Sequence, residues 1–184
     1  YDKIVARVGA DKVALVTGAN TGLGQGIAIA LAEAGADIAC AGTSAADQTA
    51  EKVTALGRRC ITIKADLSSL APVQNLVDQT VSELGALDIL VNNAGTIRRA
   101  DAVAFTEADW DAVMDVNLKT AFFLCQAAGR HMLGKGRGKI INIASMLSFQ
   151  GGIRVPSYTA SKSGVLGLTR LLANEWAAKG INVN

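Results

Sequence analysis

The sequence predicts an α/β fold, a doubly wound parallel sheet with helices on both faces. Short apolar strands alternate with helical segments five times, the first strand runs into a glycine-rich turn, and a sixth strand begins at Ile181. Strands that alternate with helices form parallel sheets through right-handed crossovers. We therefore expect one domain over residues 1–184, with its site where the carboxyl ends of the strands meet.

The composition indicates a compact globular protein. Half of the 184 residues are hydrophobic, 18% are charged and the net charge is +2. No basic stripe predicts nucleic-acid binding, and no apolar run approaches the ~20 residues of a membrane span. The first residues show no signal-peptide pattern, so we expect a cytoplasmic protein.

The three cysteines, Cys40, Cys60 and Cys125, lie in apolar runs. We expect them to be reduced thiols in the core of a cytosolic protein. None has a metal-ligating partner at a suitable spacing, so no metal site is expected. His131 is expected to serve the surface or the packing of a helix. Trp110 and Trp176 are expected in packing or in a subunit contact.

The first strand, Lys12–Thr17, leads into a turn with glycines at positions 18, 22 and 24. A helix is predicted over Gln25–Ala34. Glycines let the backbone approach a pyrophosphate, and a helix N-terminus presents free N–H groups to it. This layout predicts nucleotide binding, and a purely structural turn is the alternative.

The second strand, Asp37–Gly42, lacks the acid that commonly binds a ribose 2′-hydroxyl at its carboxyl end. Asp37 lies at the wrong end of the strand, and Asp47 lies too far along. No arginine stands there to bind a 2′-phosphate either. The strand therefore leaves the choice between the two nicotinamide cofactors open.

The next helix is predicted over Ala46–Leu56, and the third strand over Arg59–Lys64. Asp66 follows that strand, where its carboxylate could accept from an adenine amino group. Alternatively, Asp66 caps the helix predicted over 69–84, although the serines after it compete for that cap.

The fourth strand, Leu87–Val91, ends in small and amide residues at 92–95, which allow a ligand to come close or simply form a tight turn. A long helix is predicted over Thr106–His131, with a cap at Thr106. Asn117 interrupts its apolar face. A buried amide must find partners, so Asn117 is expected to be a structural link or part of a polar network.

The fifth strand, Lys139–Ile143, places Ser145 at the carboxyl edge of the sheet. The following helix, predicted over 157–179, carries Tyr158 and Lys162 one turn apart on one face. A nearby ammonium favours the phenolate form of a tyrosine. The pair alone would be ordinary helix surface, but its place after Ser145 makes it a candidate proton donor.

Together these motifs resemble the short-chain dehydrogenase/reductase family over essentially the whole chain: Thr17-Gly18-x-x-x-Gly22-x-Gly24, Asn92-Asn93-Ala94-Gly95, Asn117, Ser145 and Tyr158-x-x-x-Lys162. The resemblance implies a Rossmann-type fold and an NAD(P)-dependent oxidoreductase that transfers a hydride. We favour NAD, because no basic residue is placed for a 2′-phosphate, and NADP is not excluded.

The resemblance also implies roles for residues. Tyr158 would be the general acid or base, Lys162 would make its proton easier to remove and hold the nicotinamide ribose, and Ser145 would bond the reacting oxygen. Asn117 would hold a water that relays protons. The implied cofactor-binding residues are Gly18, Asn20, Thr21, Gly22, Leu23, Gly24, Asp66, Leu67, Asn93, Ala94, Gly95, Tyr158 and Lys162.

Segments Gly95–Asp101 and Ala144–Tyr158 resemble members of that family that act on sugar acids. Arginine binds carboxylates in a bidentate fashion. We therefore expect Arg154 or Arg98, and after them Arg99, to pair with a substrate carboxylate, the alternative being solvated surface charges. Gln150 could bind a substrate hydroxyl.

Members of the family run on by roughly a further third. We therefore expect this chain to be truncated at the start of the sixth strand, with C-terminal strands and a covering lid missing. The resemblance further implies a homotetramer. Other substrates, gluconate or a 3-oxoacyl thioester, and a non-catalytic cofactor-sensing protein are the alternatives. A methyltransferase-like fold would not explain Tyr158-x-x-x-Lys162.

Overall fold

A computed structural model describes residues 11–184, which form a parallel sheet between two layers of helices. The elements in chain order are β1 (Val13–Thr17), α1 (Gly22–Glu33), β2 (Asp37–Gly42), α2 (Asp47–Ala55), β3 (Cys60–Lys64), α3 (Val73–Leu84), β4 (Ile89–Asn92), α4 (Glu107–Met114), a π-helical turn (Asp115–Thr120), α5 (Ala121–Lys135), β5 (Gly138–Asn142), α6 (Pro156–Trp176) and β6 (Ile181–Val183). This confirms the predicted fold class.

The six strands lie in the order β3-β2-β1-β4-β5-β6, and every pair is parallel. The chain runs outwards from β1 to β3, then returns to the other side of β1 and continues to β6. The order therefore reverses between β1 and β4. In open α/β sheets ligands bind at this reversal, outside the carboxyl ends of the strands.

The central strands are apolar on both sides because helices cover both faces of the sheet. Every residue of β1, β2 and β4 is buried. One face packs Leu15, Leu90 and Ile140 against α3 and α5, and the other packs Val16 and Ile38 against α1 and α2. This two-sided burial fixes the strand ends, and with them the loops that form the site.

Three helix predictions need correction. The helix predicted over 69–84 begins at Val73, after Pro72, and Asp66 does not cap it but accepts from the Ser68 amide. The helix predicted over 106–131 is three segments, since a π-helical turn separates α4 from α5. Thr106 does cap it, accepting from the Asp109 amide. The last turn of the helix predicted over 157–179 is a 3₁₀ turn.

Asp37 belongs to the amino-terminal edge of the sheet, as its position in β2 predicted. Its carboxylate pairs with Arg58 at 2.8 Å and with Arg59 at 2.7 Å. Burial raises the pKa of Asp37, but hydrogen bonds from Arg59 and the charge of Arg58 outweigh it and hold the pKa below its usual value. Asp37 therefore joins β2 to the start of β3.

Among residues 11–184 the helices are too short or too polar to cross a lipid bilayer.

Replacement of Gly129 by Ala is expected to destabilise the fold by about 1–3 kcal/mol. A Cβ at Gly129, in α5, would lie 2.6 Å from the ring of Trp176, which is the buried last residue of α6. Gly134→Ala in the same helix is the control, because nothing lies within 4 Å of its Cβ position. It should leave stability unchanged or raise it by up to about 1 kcal/mol. Equal urea midpoints for the two variants would contradict this packing.

Candidate active site

A cavity of about 320 Å³ opens at the carboxyl ends of β1 to β4. It lies at the reversal of strand order, where the sequence predicted a site. Its walls are formed by loops from four strands and by one residue of the π-helical turn: Gly18, Asn20, Gly42, Thr43, Ala65, Asp66, Leu67, Ala94, Gly95, Thr96 and Val116.

The glycine-rich turn has the shape that the sequence predicted, although helix α1 begins at Gly22 rather than Gln25. Gly18 and Gly22 have φ of 65° and 58°, which favours glycine. A Cβ on Gly24 would collide with the Gly18 carbonyl. No side chain caps the helix at Thr21, which leaves its first N–H groups available to bind an anion.

Thr17 and Asn93 bind the glycine turn to the loop after β4. The Thr17 Oγ1 accepts from the amides of Asn93 and Ala94, at 3.1 and 3.0 Å. The Asn93 Nδ2 donates to the carbonyls of Thr17 and Gly18, at 3.0 and 3.4 Å. Asn93 therefore positions the turn and is not one of the cavity-lining residues, whereas Ala94 and Gly95 are.

The far end of the cavity carries neutral groups at the end of β2. The Asn20 Nδ2 donates to the Ser44 Oγ at 2.7 Å, which ties the glycine turn to this segment. Asp66 is exposed at the cavity, and its Oδ1 accepts from the Ser68 amide at 2.9 Å. That hydrogen bond lowers the pKa of Asp66. At this end of the cavity the Asp66 carboxylate is therefore a hydrogen-bond acceptor, while the residues from the glycine turn and the end of β2 carry no charge.

Tyr158 and Lys162 lie on the first turns of α6. The Lys162 side chain is buried, its Nζ is 5.9 Å from the Tyr158 ring centroid, and it donates to the Ile143 carbonyl. Burial lowers the pKa of Lys162. An amine at this distance from the ring face is in the range of a cation–π contact. The structure thus brings together the pair that the sequence singled out.

Asn117 is buried in the π-helical turn and its amide is fully used. Its Oδ1 accepts from the Thr96 amide at 2.8 Å, and its Nδ2 donates to the Thr96 carbonyl at 2.9 Å and to the Ser161 Oγ at 3.3 Å. The Ser161 Oγ donates in turn to the Tyr158 carbonyl. Asn117 therefore links the loop after β4 to helix α6, as a structural link.

Ser145 follows β5 and begins a short 3₁₀ turn, where its Oγ accepts from the Leu147 amide. Ser148, in the same turn, donates from its Oγ to the Lys162 carbonyl at 2.8 Å. Since Lys162 also reaches the Ile143 carbonyl, two hydrogen bonds hold this loop against α6. Ser145 is thereby kept beside the helix that carries Tyr158.

The predicted substrate residues are exposed at the loops after β4 and β5. Arg98 pairs with Asp109 at 3.4 Å, and Arg154 pairs with Asp101 at 3.0 Å. The Arg154 carbonyl also accepts from the Ala100 amide, and its φ is 63°. Arg154 therefore fastens one loop to the other, while Arg99 and Gln150 lie on the surface.

Sequence reasoning missed the residues that fasten the site together. Thr17, Ser148 and Ser161 bond the backbones of neighbouring loops and helices. Their small hydroxyl side chains carry no signal in periodicity. The position of Thr17 at the end of β1 is the one clue that the sequence offered. Within residues 11–184 no group of three or more His, Cys, Asp or Glu side chains is placed to hold a metal ion.

Comparisons with known proteins agree with this geometry. A family model described as short chain dehydrogenase matches residues 12–184. The 2-dehydro-3-deoxy-D-gluconate 5-dehydrogenases of Escherichia coli strain K12 and Dickeya dadantii are 61% and 60% identical over 174 residues. Those alignments cover 94% of this chain and 69% of each relative.

A solved structure described as a 2-deoxy-D-gluconate 3-dehydrogenase from Agrobacterium tumefaciens, with bound NADP, superposes with a TM-score of 0.88. It is 58% identical, and the match covers 95% of this chain and 70% of that one.

Asn117→Ala is expected to lower the free energy of unfolding by about 2–4 kcal/mol, because it leaves the Thr96 amide and carbonyl without partners. Asn75→Ala, on the exposed side of α3, is the control and should change stability by less than about 0.5 kcal/mol. Urea unfolding of both variants measures the difference. Matching midpoints would show that Asn117 does not stabilise the site.

Proposed function

Since the chain belongs to the short-chain dehydrogenase family, we propose that it transfers a hydride between NAD(P) and a keto or hydroxy sugar acid, of the 2-dehydro-3-deoxy-D-gluconate or 2-deoxy-D-gluconate type. The observation that carries the proposal is the buried Lys162 beside the Tyr158 ring, with its amine next to Gly95 in the wall of the cavity that begins at the glycine turn. The names of the relatives support the substrate class.

The residues present fit a nicotinamide dinucleotide. Gly18 and Gly24 leave a cradle that a Cβ would fill, and the first N–H groups of α1 have no side-chain cap. Asn20, Asp66, Leu67, Ala94 and Gly95 would bind the rest of the adenosine half. When bound, the cofactor supplies the hydride at its nicotinamide ring, and the protein supplies position and a proton.

We assign the proton to Tyr158. As a ketone is reduced, its hydroxyl donates to the carbonyl oxygen, and in the oxidation direction the phenolate takes the proton back. The Lys162 ammonium, held by the Ile143 carbonyl, stabilises the phenolate through its charge. In a buried site that charge acts through a low dielectric, which strengthens it.

Ser145 would hydrogen-bond the reacting oxygen and so fix it beside Tyr158. The loop that carries Ser145 is bonded to α6 through Ser148, which supports a fixed distance between the two hydroxyls. Asn117 and the π-helical turn around it would hold the relay water. Because the Asn117 side chain is engaged by Thr96 and Ser161, main-chain groups of the turn are better candidates to bind that water than this side chain.

The substrate carboxylate is assigned to the exposed arginines of the two mouth loops. Arg154 and Arg98 each hold an aspartate through Nε. The Arg98 Nη1 also donates to the Thr96 Oγ1 and to the Ile97 carbonyl. The remaining N–H groups of each guanidinium can bind a second carboxylate. Arg99, with no such pair described, is the third candidate. Gln150, exposed in the loop after β5, would bind a hydroxyl of the sugar.

The alternatives keep the same residues. Gluconate or a 3-oxoacyl thioester would use the same proton transfer on another substrate, and the arginines favour an acid over a neutral substrate. A cofactor-sensing protein would not need a Tyr158 and a buried Lys162.

We further propose that the protein is cytoplasmic, belongs to pectin breakdown and forms a homotetramer. The exposure of the apolar side chains of Trp110 and Leu171 supports the homotetramer.

Tyr158→Phe in the full-length protein should lower kcat for NADH or NADPH oxidation by hexuronate-derived keto acids at least about 10²-fold, because the proton donor is lost. Fluorescence titration should show that the variant still binds the reduced cofactor. Ser145→Ala should lower kcat with the same retention of binding. A Tyr158→Phe enzyme with normal turnover would overturn the assignment, and binding without turnover in the parent protein would favour the sensing alternative.

Arg154→Ala is expected to raise KM for the keto sugar acid about tenfold or more, since a charge-assisted hydrogen bond contributes about 1.5–3 kcal/mol. Arg98→Ala and Arg99→Ala test the other two candidates in the same assay. Arg170→Ala, on the exposed side of α6, is the control for loss of one positive charge. If all three mouth variants keep the KM of the Arg170→Ala control, these arginines do not bind the carboxylate.

A further inference from the structure

Cys40 and Cys60 form a thiol pair that the proposed catalytic residues do not use. Cys40 lies in β2 and Cys60 begins β3, and their sulfurs are 3.8 Å apart. Cys40 is 1% exposed, while Cys60 is half-buried and so within reach of a small reagent. Two sulfurs in van der Waals contact on neighbouring strands form a potential dithiol.

The strand register places Cys40 and Cys60 diagonally to each other, so a disulfide between them would be strained. The residue opposite Cys60 is Ile38, so Cys40 lies on the same face two residues further along β2. A disulfide needs an S–S separation of about 2.05 Å, so the sulfurs must approach by almost 2 Å. Within the described sheet β3 is an edge strand, bonded to β2 alone. It can therefore shift along β2 more readily than a central strand.

The two thiols differ in reactivity. A hydrogen bond from Cys40 lowers the pKa of Cys60 in spite of burial, whereas the pKa of Cys40 is raised by that bond and by burial. The thiolate is the reactive form, so Cys60 is the attacking sulfur and Cys40 the resolving one. Cys125 differs from both, because burial raises its pKa to about 12 and its sulfur contacts Asn92 and Asn142.

We propose that Cys60 and Cys40 are a site of reversible oxidation, at which a hydroperoxide converts the dithiol into a disulfide. The Cys60 thiolate attacks one peroxide oxygen, the O–O bond breaks to give a sulfenic acid, and the departing hydroxide takes the proton that Cys60 had released and becomes the first water. The Cys40 sulfur then attacks that sulfur, and its proton leaves with the hydroxyl group as water. Two thiols lose two electrons in total, and hydrogen peroxide is reduced to two waters.

Oxidation acts on the cofactor cavity because both strands lead straight into its walls. Gly42 ends β2, Thr43 follows it, and Ala65 and Asp66 follow β3. When β3 shifts along β2 to bring the sulfurs together, the two residues that follow β3 move relative to the two at the end of β2. The disulfide form therefore binds the dinucleotide more weakly, a consequence that rests on the proposed function, whereas the disulfide itself does not. Because the bond is strained, a dithiol reductant reverses it readily.

The test treats full-length protein with hydrogen peroxide and maps cysteines by mass spectrometry. We expect a Cys40–Cys60 disulfide in the parent protein and in the Cys125→Ala control, and none in Cys40→Ala or Cys60→Ala. NADH fluorescence titration should show severalfold weaker binding after oxidation, with recovery after dithiothreitol. Cys40→Ala should keep its affinity under the same peroxide treatment, which separates the disulfide from general damage.

Oxidation of Cys60 to sulfinic acid without a disulfide would overturn the site. A mapped disulfide with unchanged NADH affinity would overturn its link to the cavity. If reduced and oxidised protein both fail to bind NADH or NADPH, the proposed function fails, and the peptide map still decides whether the disulfide forms.

Discussion

The buried ammonium of Lys162 is the constraint on which the candidate site depends. Removing a charged amine from water is costly unless it finds acceptors, and the acceptor here is the carbonyl of Ile143 at the end of β5. Together with the hydrogen bond from Ser148 to the Lys162 carbonyl, this contact holds helix α6 against the loop after β5. Gly95 meets the same group from the other side, since a Cβ there would lie 3.8 Å from the Nζ. The loops after β4 and β5 therefore converge on one amine.

Most other contacts of the site keep loops from different strands in a fixed arrangement. Thr17 and Asn93 join the loops after β1 and β4, and Asn117 joins the loop after β4 to α6. These bonds connect backbones through short side chains, which lose little conformational entropy when they become ordered. A cleft built in this way is largely formed before a ligand arrives, which is how positioned reactions gain rate.

The sequence predicted the fold well because its evidence is local and periodic. Strand β2 has the predicted bounds, Asp37 lies at the unproductive end of it, and Tyr158 and Lys162 share a face of α6. Periodicity cannot show a π-helical turn of six residues, since that is too short a stretch to establish a period of its own. Nor can it show that Asn93 faces the glycine turn, because that depends on the pairing of β1 with β4. The Asn93 contact with Gly18, for example, joins residues 75 apart in the chain.

Asp37 has a consequence for the response of the fold to acid. Its pKa is lower in the folded protein than in an unfolded chain, so its pairing with Arg58 and Arg59 stabilises the protein at pH values above the unfolded pKa, about 3.9. That contribution disappears as the pH falls through the lower, folded value. Protonation there would remove these ion pairs and so weaken the attachment of β3 to β2, at the edge of the sheet furthest from Tyr158 in strand order. Acid would thus begin to fray the sheet from its amino-terminal edge at β3, the edge opposite the one at which the cavity opens.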